Sequence, residues 1–142
     1  MRVIIGSDHA GYDLKEQISS FLTNELGHEV EDVGVYSRDA ADYPPVAHHV
    51  AEEISANRFS FGILICGTGI GMSIVANRHK GVRAALCHNI LMARLSRLHN
   101  NANILAMGGR IIGVALAKEM VREFLVTPFE GGRHQRRIEQ ID

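Results

Sequence analysis

The sequence predicts an α/β fold, a Rossmann-like three-layer sandwich with a five-stranded parallel sheet between helices and a helical tail at the C-terminus. Five short apolar runs, typical of buried strands, alternate with segments whose apolar residues recur at helical spacing. No internal repeat, low-complexity tract or linker interrupts this alternation, and 142 residues suit one core. We therefore expect a single domain spanning residues 1–142.

The five apolar runs that we predict as strands are residues 2–5, 29–33, 61–65, 82–86 and 104–107. The first helix, residues 12–26, carries its apolar residues on one face and stops at Gly27, a residue typical of helix ends. Pro44 and Pro45 open the second helix, through Ala56, because proline is tolerated in a first turn. The remaining predicted helices are residues 72–77, 90–99 and 114–126.

Residues 129–142 form a polar tail with a predicted short basic helix. Arg133 and Arg137 are four residues apart and therefore share one helix face, with His134 and Arg136 nearby. Guanidinium groups match phosphate oxygens well, although a solvated basic face is the ordinary alternative.

Composition excludes some function classes. With 46% hydrophobic residues, 22% charged residues and a net charge of -1, the chain has no general attraction for nucleic acid or an anionic membrane. The first apolar run is too short for a signal peptide and no later run approaches membrane-spanning length, so we expect a cytoplasmic protein. Cys66 and Cys87 are then free thiols in a reducing compartment.

The third apolar run ends in Cys66 and continues into a glycine-rich corner, Gly67-Thr68-Gly69-Ile70-Gly71. Backbone N–H groups at such a corner can point at an anion, and the following helix adds partial positive charge. That position also makes a thiol more reactive. The alternative is a cysteine that serves as a small core residue. The spacing matches neither the dinucleotide-binding nor the triphosphate-binding glycine motif.

Ligands of parallel α/β sheets bind outside the carboxyl ends of the strands. The polar residues predicted at this edge are Asp8, His9, Asp42, Tyr43, Cys66, Cys87, His88 and Arg110. Asp8 and His9 suit proton transfer or a sugar hydroxyl, but an aspartate in a turn also makes purely local hydrogen bonds. His99, at a predicted helix end, has a structural alternative as partner of the helix dipole.

No metal site is expected. The candidate ligands His48-His49 and Cys87-His88 are adjacent pairs, and neither C-x-x-C nor H-x-x-x-H spacing occurs.

Five motifs together closely resemble the type B ribose-5-phosphate isomerases, a family that shares its fold with the subunits of galactose-6-phosphate isomerase and with allose-6-phosphate isomerases. The motifs are G-S-D-H-A-G (6–11), D-Y-P (42–44), C-G-T-G-I-G (66–71), R-L-H-N (97–100) and G-G-R-H-Q-R-R (131–137). The match covers essentially the whole chain. Some family members use a glutamate further along instead of the thiol; here Cys66 is present and the later position, near Ile70, is apolar.

The resemblance implies aldose–ketose isomerisation of D-ribose 5-phosphate to D-ribulose 5-phosphate, a step of the pentose phosphate pathway, through an enediolate and without a cofactor. It makes Cys66 the base, His99 the acid that opens the sugar ring, and Thr68 a helper at the oxyanion. The implied substrate-binding residues are Asp8, His9, Tyr43, Gly67, Gly69, Ile70, Gly71, Asn100, Arg110, Arg133 and Arg137.

Helix geometry predicts a shared active site. The helix that ends at His99 starts at the carboxyl edge of the sheet with Ile90 and rises about 1.5 Å per residue, so His99 lies roughly 15 Å away, toward the opposite edge. His99 is then too far from Cys66 of its own chain. We therefore expect a homodimer or a dimer of dimers, with the active site at the interface and residues 129–142 contacting the partner.

Two alternatives stay open. One is an isomerase of another sugar phosphate, namely allose 6-phosphate, galactose 6-phosphate or a tetrose phosphate. The other is a non-catalytic phosphate- or nucleotide-binding module on the same fold, since a fold alone never determines function. Binding a phosphate needs neither Cys66 nor His99, so these two residues separate the enzyme from the module.

Overall fold

A computed structural model describes every residue from Met1 to Asp142. The strands are β1 Arg2–Ser7, β2 Glu29–Asp32, β3 Phe61–Cys66, β4 Ala84–Leu86 and β5 Ile104–Gly108. The helices are α1 Tyr12–Ser20, α2 Tyr43–Ser55, α3 Ile70–Ala76, α4 Ile90–Asn100, α5 Val114–Val126 and α6 Arg133–Ile138. A 3₁₀ turn, His9–Gly11, precedes α1, which continues into a π-helical turn, Phe21–Glu25. The predicted alternation of strands and helices is confirmed.

All five strands are parallel and lie in the order β2-β1-β3-β5-β4. The chain leaves β1 toward one edge of the sheet and leaves β3 toward the other, so the strand order reverses between these two neighbours. In open parallel sheets such a reversal opens a crevice at the carboxyl ends of the strands, where ligands bind.

Helices cover both faces of the sheet. A cluster of 18 buried residues packs one face against α1, α4 and α5, and a second cluster of 12 packs the other face against α2 and α3. Both faces of β1, β3 and β5 are therefore buried, which explains why these strands read as continuous apolar runs. The predicted three-layer sandwich is confirmed. No helix has the length and apolar character needed to cross a membrane.

Two elements begin two residues away from their predicted starts. The strand β4 begins at Ala84 rather than at Val82, because the Arg83 N–H donates to the side chain of Asn103 (2.8 Å) instead of joining the ladder. The helix α3 begins at Ile70, two residues early, because Gly69 caps it in the left-handed conformation with a φ of 81°. Ile70 and Gly71 therefore belong to the first helical turn rather than to the corner.

Candidate active site

The crevice between β1 and β3 holds the first group of predicted site residues. Asp8 directly follows β1 and Cys66 ends β3, with Ser7 and Ile65 paired in register. The Asp8 N–H extends the pairing by donating to the Ile65 carbonyl at 3.2 Å. A carboxylate and a thiol therefore lie at the carboxyl ends of neighbouring strands, at the reversal of strand order.

The Cys66 thiol is 5% exposed, and its Sγ accepts a hydrogen bond from the Gly69 N–H at 3.1 Å. Glycine is required at position 69 by conformation and by space. A Cβ there would lie 2.6 Å from Leu86 Cδ1 and 2.8 Å from the Met107 backbone carbon. The packing of the corner onto β5 therefore directs an N–H group at the sulfur.

Three other backbone donors of the corner have no acceptor in the protein, namely the N–H groups of Gly67, Thr68 and Gly71. The fourth, the Ile70 N–H, donates to Thr68 Oγ1 at 3.2 Å. The corner therefore offers fewer free donors for an anion than its sequence predicts, because the Thr68 hydroxyl accepts one of its N–H groups. The remaining donors are free to stabilise an oxyanion beside the thiol.

Two loops bring further predicted residues to this corner. Tyr43 opens α2 with its ring against Gly71, where a Cβ would lie 2.6 Å from Tyr43 Cζ. His9 holds the preceding loop, because its Nδ1 accepts from the Ala41 N–H at 3.1 Å. Asp8 Oδ1 accepts from the N–H of Gly11 at 3.0 Å, so this aspartate has the local turn role, while Oδ2 makes no hydrogen bond with the protein.

Arg110 completes this group from the loop after β5. Its N–H donates to the Gly67 carbonyl at 3.0 Å, and its exposed guanidinium forms no ion pair. Arg110 Nη1 would lie 3.5 Å from a Cβ on Gly67, so a free cation reaches over the corner. We call the following residues the Cys66 cluster: Asp8, His9, Tyr43, Cys66, Gly67, Thr68, Gly69, Ile70, Gly71 and Arg110.

The other predicted residues form a second group around the C-terminal end of α4. A cavity there is lined by His99, Asn100, His134, Arg137, Ile138 and Ile141. Arg133 lies one turn before Arg137 and contacts Glu130 at 3.5 Å, whereas the exposed Arg137 has no acidic partner. We call His99, Asn100, Arg133 and Arg137 the His99 cluster.

The two clusters lie near opposite ends of the strands, the Cys66 cluster at the carboxyl ends and the His99 cluster toward the amino ends. Asn103, just after α4, accepts from the Gly62 N–H at the start of β3, whereas Cys66 ends that strand. Four residues of strand at about 3.3 Å each place these points roughly 13 Å apart. Within one chain, the structure therefore does not bring His99 to Cys66.

Cys87, the other thiol, has a structural role. It is 1% exposed within the larger core cluster, and its burial raises the pKa of the thiol to about 11. The ordinary value is 9.0. Cys87 is therefore protonated and inert near neutral pH.

Sequence spacing gave no sign of one group of possible metal ligands. Ligand atoms of His99, Glu130 and His134 lie within 4.8 Å of one another. The two imidazoles are stacked, with ring planes 13° apart. The nitrogen lone pairs of the two rings lie in two nearly parallel planes, so they do not converge on one point as metal coordination requires. The expectation that the chain holds no metal stays a prediction.

Comparison with known proteins identifies the family. The family model described as Ribose/Galactose Isomerase matches residues 3–141. The chain belongs to this family. It is 46% identical to ribose-5-phosphate isomerase B of Escherichia coli, covering 99% of this chain and 93% of that protein. It is 43% identical to D-erythrulose-4-phosphate isomerase of Pectobacterium atrosepticum, covering 99% of this chain and 93% of that protein.

Solved structures give the same result for the fold. A ribose 5-phosphate isomerase from Thermotoga maritima superposes with a TM-score of 0.97 at 55% identity, covering 99% of this chain and 97% of that one. Ribose-5-phosphate isomerase B of Clostridium thermocellum also gives 0.97, at 48% identity, covering 99% and 95%. The resemblance drawn from the five motifs is confirmed, and with it the isomerase family.

Proposed function

We propose that this chain interconverts D-ribose 5-phosphate and D-ribulose 5-phosphate through an enediolate. The observation that carries the proposal is the Cys66 thiol, held by the Gly69 N–H beside three unpaired backbone donors. A base next to a ready oxyanion site is what enolisation of a sugar aldehyde requires. The names of the E. coli and T. maritima relatives support this substrate.

In the proposed reaction, the Cys66 thiolate removes the proton from C2 of the open-chain aldose. The N–H groups of Gly67, Thr68 and Gly71 stabilise the charge that develops on O1. The thiol then returns the proton to C1. The net change moves one hydrogen from C2 to C1 and one from O2 to O1, so no oxidant, reductant or cofactor enters the balance.

The His99 cluster supplies the remaining steps from a partner subunit. His99 protonates the ring oxygen and so opens the cyclic aldose, and Asn100 holds a hydroxyl together with Asp8 and Tyr43. The phosphate is held by His9 and by three arginines, Arg110, Arg133 and Arg137. Arg110 and Arg137 suit this role because their guanidinium groups form no ion pair with the protein.

The separation of the two clusters supports a homodimer, or a dimer of such dimers, as the active species. Each site would combine the Cys66 cluster of one chain with the His99 cluster of its partner, and residues 129–142 would contact that partner. A two-fold axis generates two such sites from one interface. We also propose the cytoplasm as the compartment, in keeping with two free thiols.

A tetrose phosphate is the second candidate substrate. It is favoured by the 43% identity to a protein named D-erythrulose-4-phosphate isomerase. Initial rates on a panel of four-, five- and six-carbon aldose phosphates decide between them. The highest kcat/KM on ribose 5-phosphate supports the proposal, and a clear preference for another length contradicts it.

The role of Cys66 has its own test. Cys66→Ala is expected to lower kcat by about a hundredfold to ten-thousandfold, the usual contribution of a positioned base. The KM should change little, because the thiol acts on the reacting carbon rather than on the phosphate. Cys66→Ser should be almost as impaired, since a hydroxyl is hard to deprotonate, while Cys87→Ser is the matched thiol control. Near-normal kcat in Cys66→Ala would contradict the role of Cys66 as the base.

A further inference from the structure

His134 is a buried imidazole to which no role has been assigned above. It lies in α6, is 6% exposed, and its Nε2 has no hydrogen-bond partner. The nearest carboxylate oxygen, on Glu130, is 3.7 Å away and too distant for a hydrogen bond. A buried unpaired polar atom costs about 1–3 kcal/mol, so a histidine kept here needs an explanation other than stability.

The ring of His134 is stacked on that of His99. The two centroids are 4.3 Å apart and the planes differ by 13°. His99 itself makes no side-chain hydrogen bond with the protein, so neither of its nitrogens is held by a neighbour. In most acid–base sites a hydrogen bond from a third group orients the imidazole. Here the stacked ring of His134 is the contact that fixes the plane of His99.

The groups around His134 keep it uncharged. Burial is the main cause that lowers the pKa of His134, and electrostatic interactions with Arg133, His99 and Arg137 lower it further. Glu130 opposes them by raising it. A neutral ring can lie against His99 whether His99 carries its proton or not, whereas a second imidazolium would repel the protonated form. The stack therefore survives both states of an acid that gives up and regains a proton.

We propose that His134 is the positioning residue of His99 and acts on ring opening only through it. The inference rests on the proposed function, in which His99 is the ring-opening acid. Stacking fixes the plane of the imidazole, and the N–H that reaches the ring oxygen lies in that plane. Because misplacement of a catalytic group by about 1 Å can cost a hundredfold in rate, loss of the stack should be visible in kcat.

The test is a double-mutant cycle between the two rings, with ribose 5-phosphate as substrate. His134→Asn removes the ring and is expected to lower kcat about tenfold to a hundredfold with little change in KM. In a His99→Asn background the same substitution should have no further effect, since its target is gone. His134→Phe, which keeps a flat ring but no ionisable nitrogen, should recover most of the kcat. His49→Asn, an exposed histidine in α2, is the control.

The outcomes separate this inference from the proposed function. Full activity of His99→Asn would refute the ring-opening role itself. If His99→Asn is impaired, a fully active His134→Asn would overturn the positioning role alone. Losses of kcat that multiply in the double variant would do the same. Failure of His134→Phe to recover kcat would also overturn it, provided that its Tm matches the wild type. Should His134→Asn itself unfold, His134→Leu, which fills the buried space without a flat ring, takes its place in both His99 backgrounds and is expected to show the same loss of kcat.

Discussion

Mixing two impaired variants tests whether the active site is shared between chains. The perturbations are Cys66→Ala, which disables the Cys66 cluster, and His99→Asn, which disables the His99 cluster. Each variant alone is expected to retain only a small residual activity. Because the two ends of β3 are roughly 13 Å apart, we expect each active site to take one cluster from each chain.

The expected recovery follows from counting sites. Random pairing of equal amounts makes about half of the dimers mixed, and each mixed dimer has one site with both lesions and one with neither. Half of the sites in half of the dimers are then intact. We therefore expect about a quarter of the wild-type activity per subunit.

The assay is to unfold the two variants together, refold them, and measure ribose 5-phosphate turnover beside each variant refolded alone. Refolded wild type gives the yield, and native mass spectrometry of differently tagged chains measures the mixed fraction. Inactivity of confirmed mixed dimers would refute the shared site, because a site built within one chain gives no recovery. The Cys66 cluster would then need an acid from another residue.

Three further results are expected. Arg137→Ala should raise the KM for ribose 5-phosphate about tenfold with kcat little changed, while Arg136→Ala on the same helix should not; steady-state kinetics measure both. Gly71→Ala should lower kcat/KM several-fold, because its methyl group would lie 2.6 Å from Tyr43 Cζ and displace that ring, and unchanged kinetics would contradict this placement. Folding raises the pKa of the Cys87 thiol to about 11, so between about pH 9 and 11 only the unfolded chain releases this proton. The wild type should therefore lose roughly 2 kcal/mol of unfolding free energy over this range that Cys87→Ala does not lose. Urea titrations at several pH values measure this, and an equal fall in unfolding free energy in both proteins would refute it.

The sequence predicted the elements well because their signals are local. Apolar runs bounded by Gly67 and Gly108, and helical spacing ended by Gly27 or Pro128, depend on residues close together in the chain. The exceptions depend on distant partners. Lys15 is fully buried in α1 because it pairs with Asp32 at 2.6 Å, and no local pattern indicates that a lysine enters the core.

The candidate site divides in the same way. The sequence could predict the Cys66 corner because one strand and the turn after it contain the whole corner. Its neighbours follow from the rule that the carboxyl ends of parallel strands lie together, where ligands bind. The strand order, which makes Asp8 and Cys66 neighbours at the reversal, came only with the structure. His134 carried one weak signal, its spacing of four residues from Ile138, which gives the short α6 an inward face.

The position of α4 connects the fold to the proposed partner subunit. The helix α4 starts after the carboxyl end of β4 and returns to the start of β5. Its last turn therefore lies near the amino ends of the strands, whatever residues that turn carries. An acid placed there cannot reach the crevice between β1 and β3 of its own chain. Arg133, His134 and Arg137 lie beside the same turn, so the residues proposed for ring opening and for part of the phosphate binding form one unit. Pairing two chains would bring that whole unit to the thiol in a single step, and an isolated chain would hold two half-sites, each without activity.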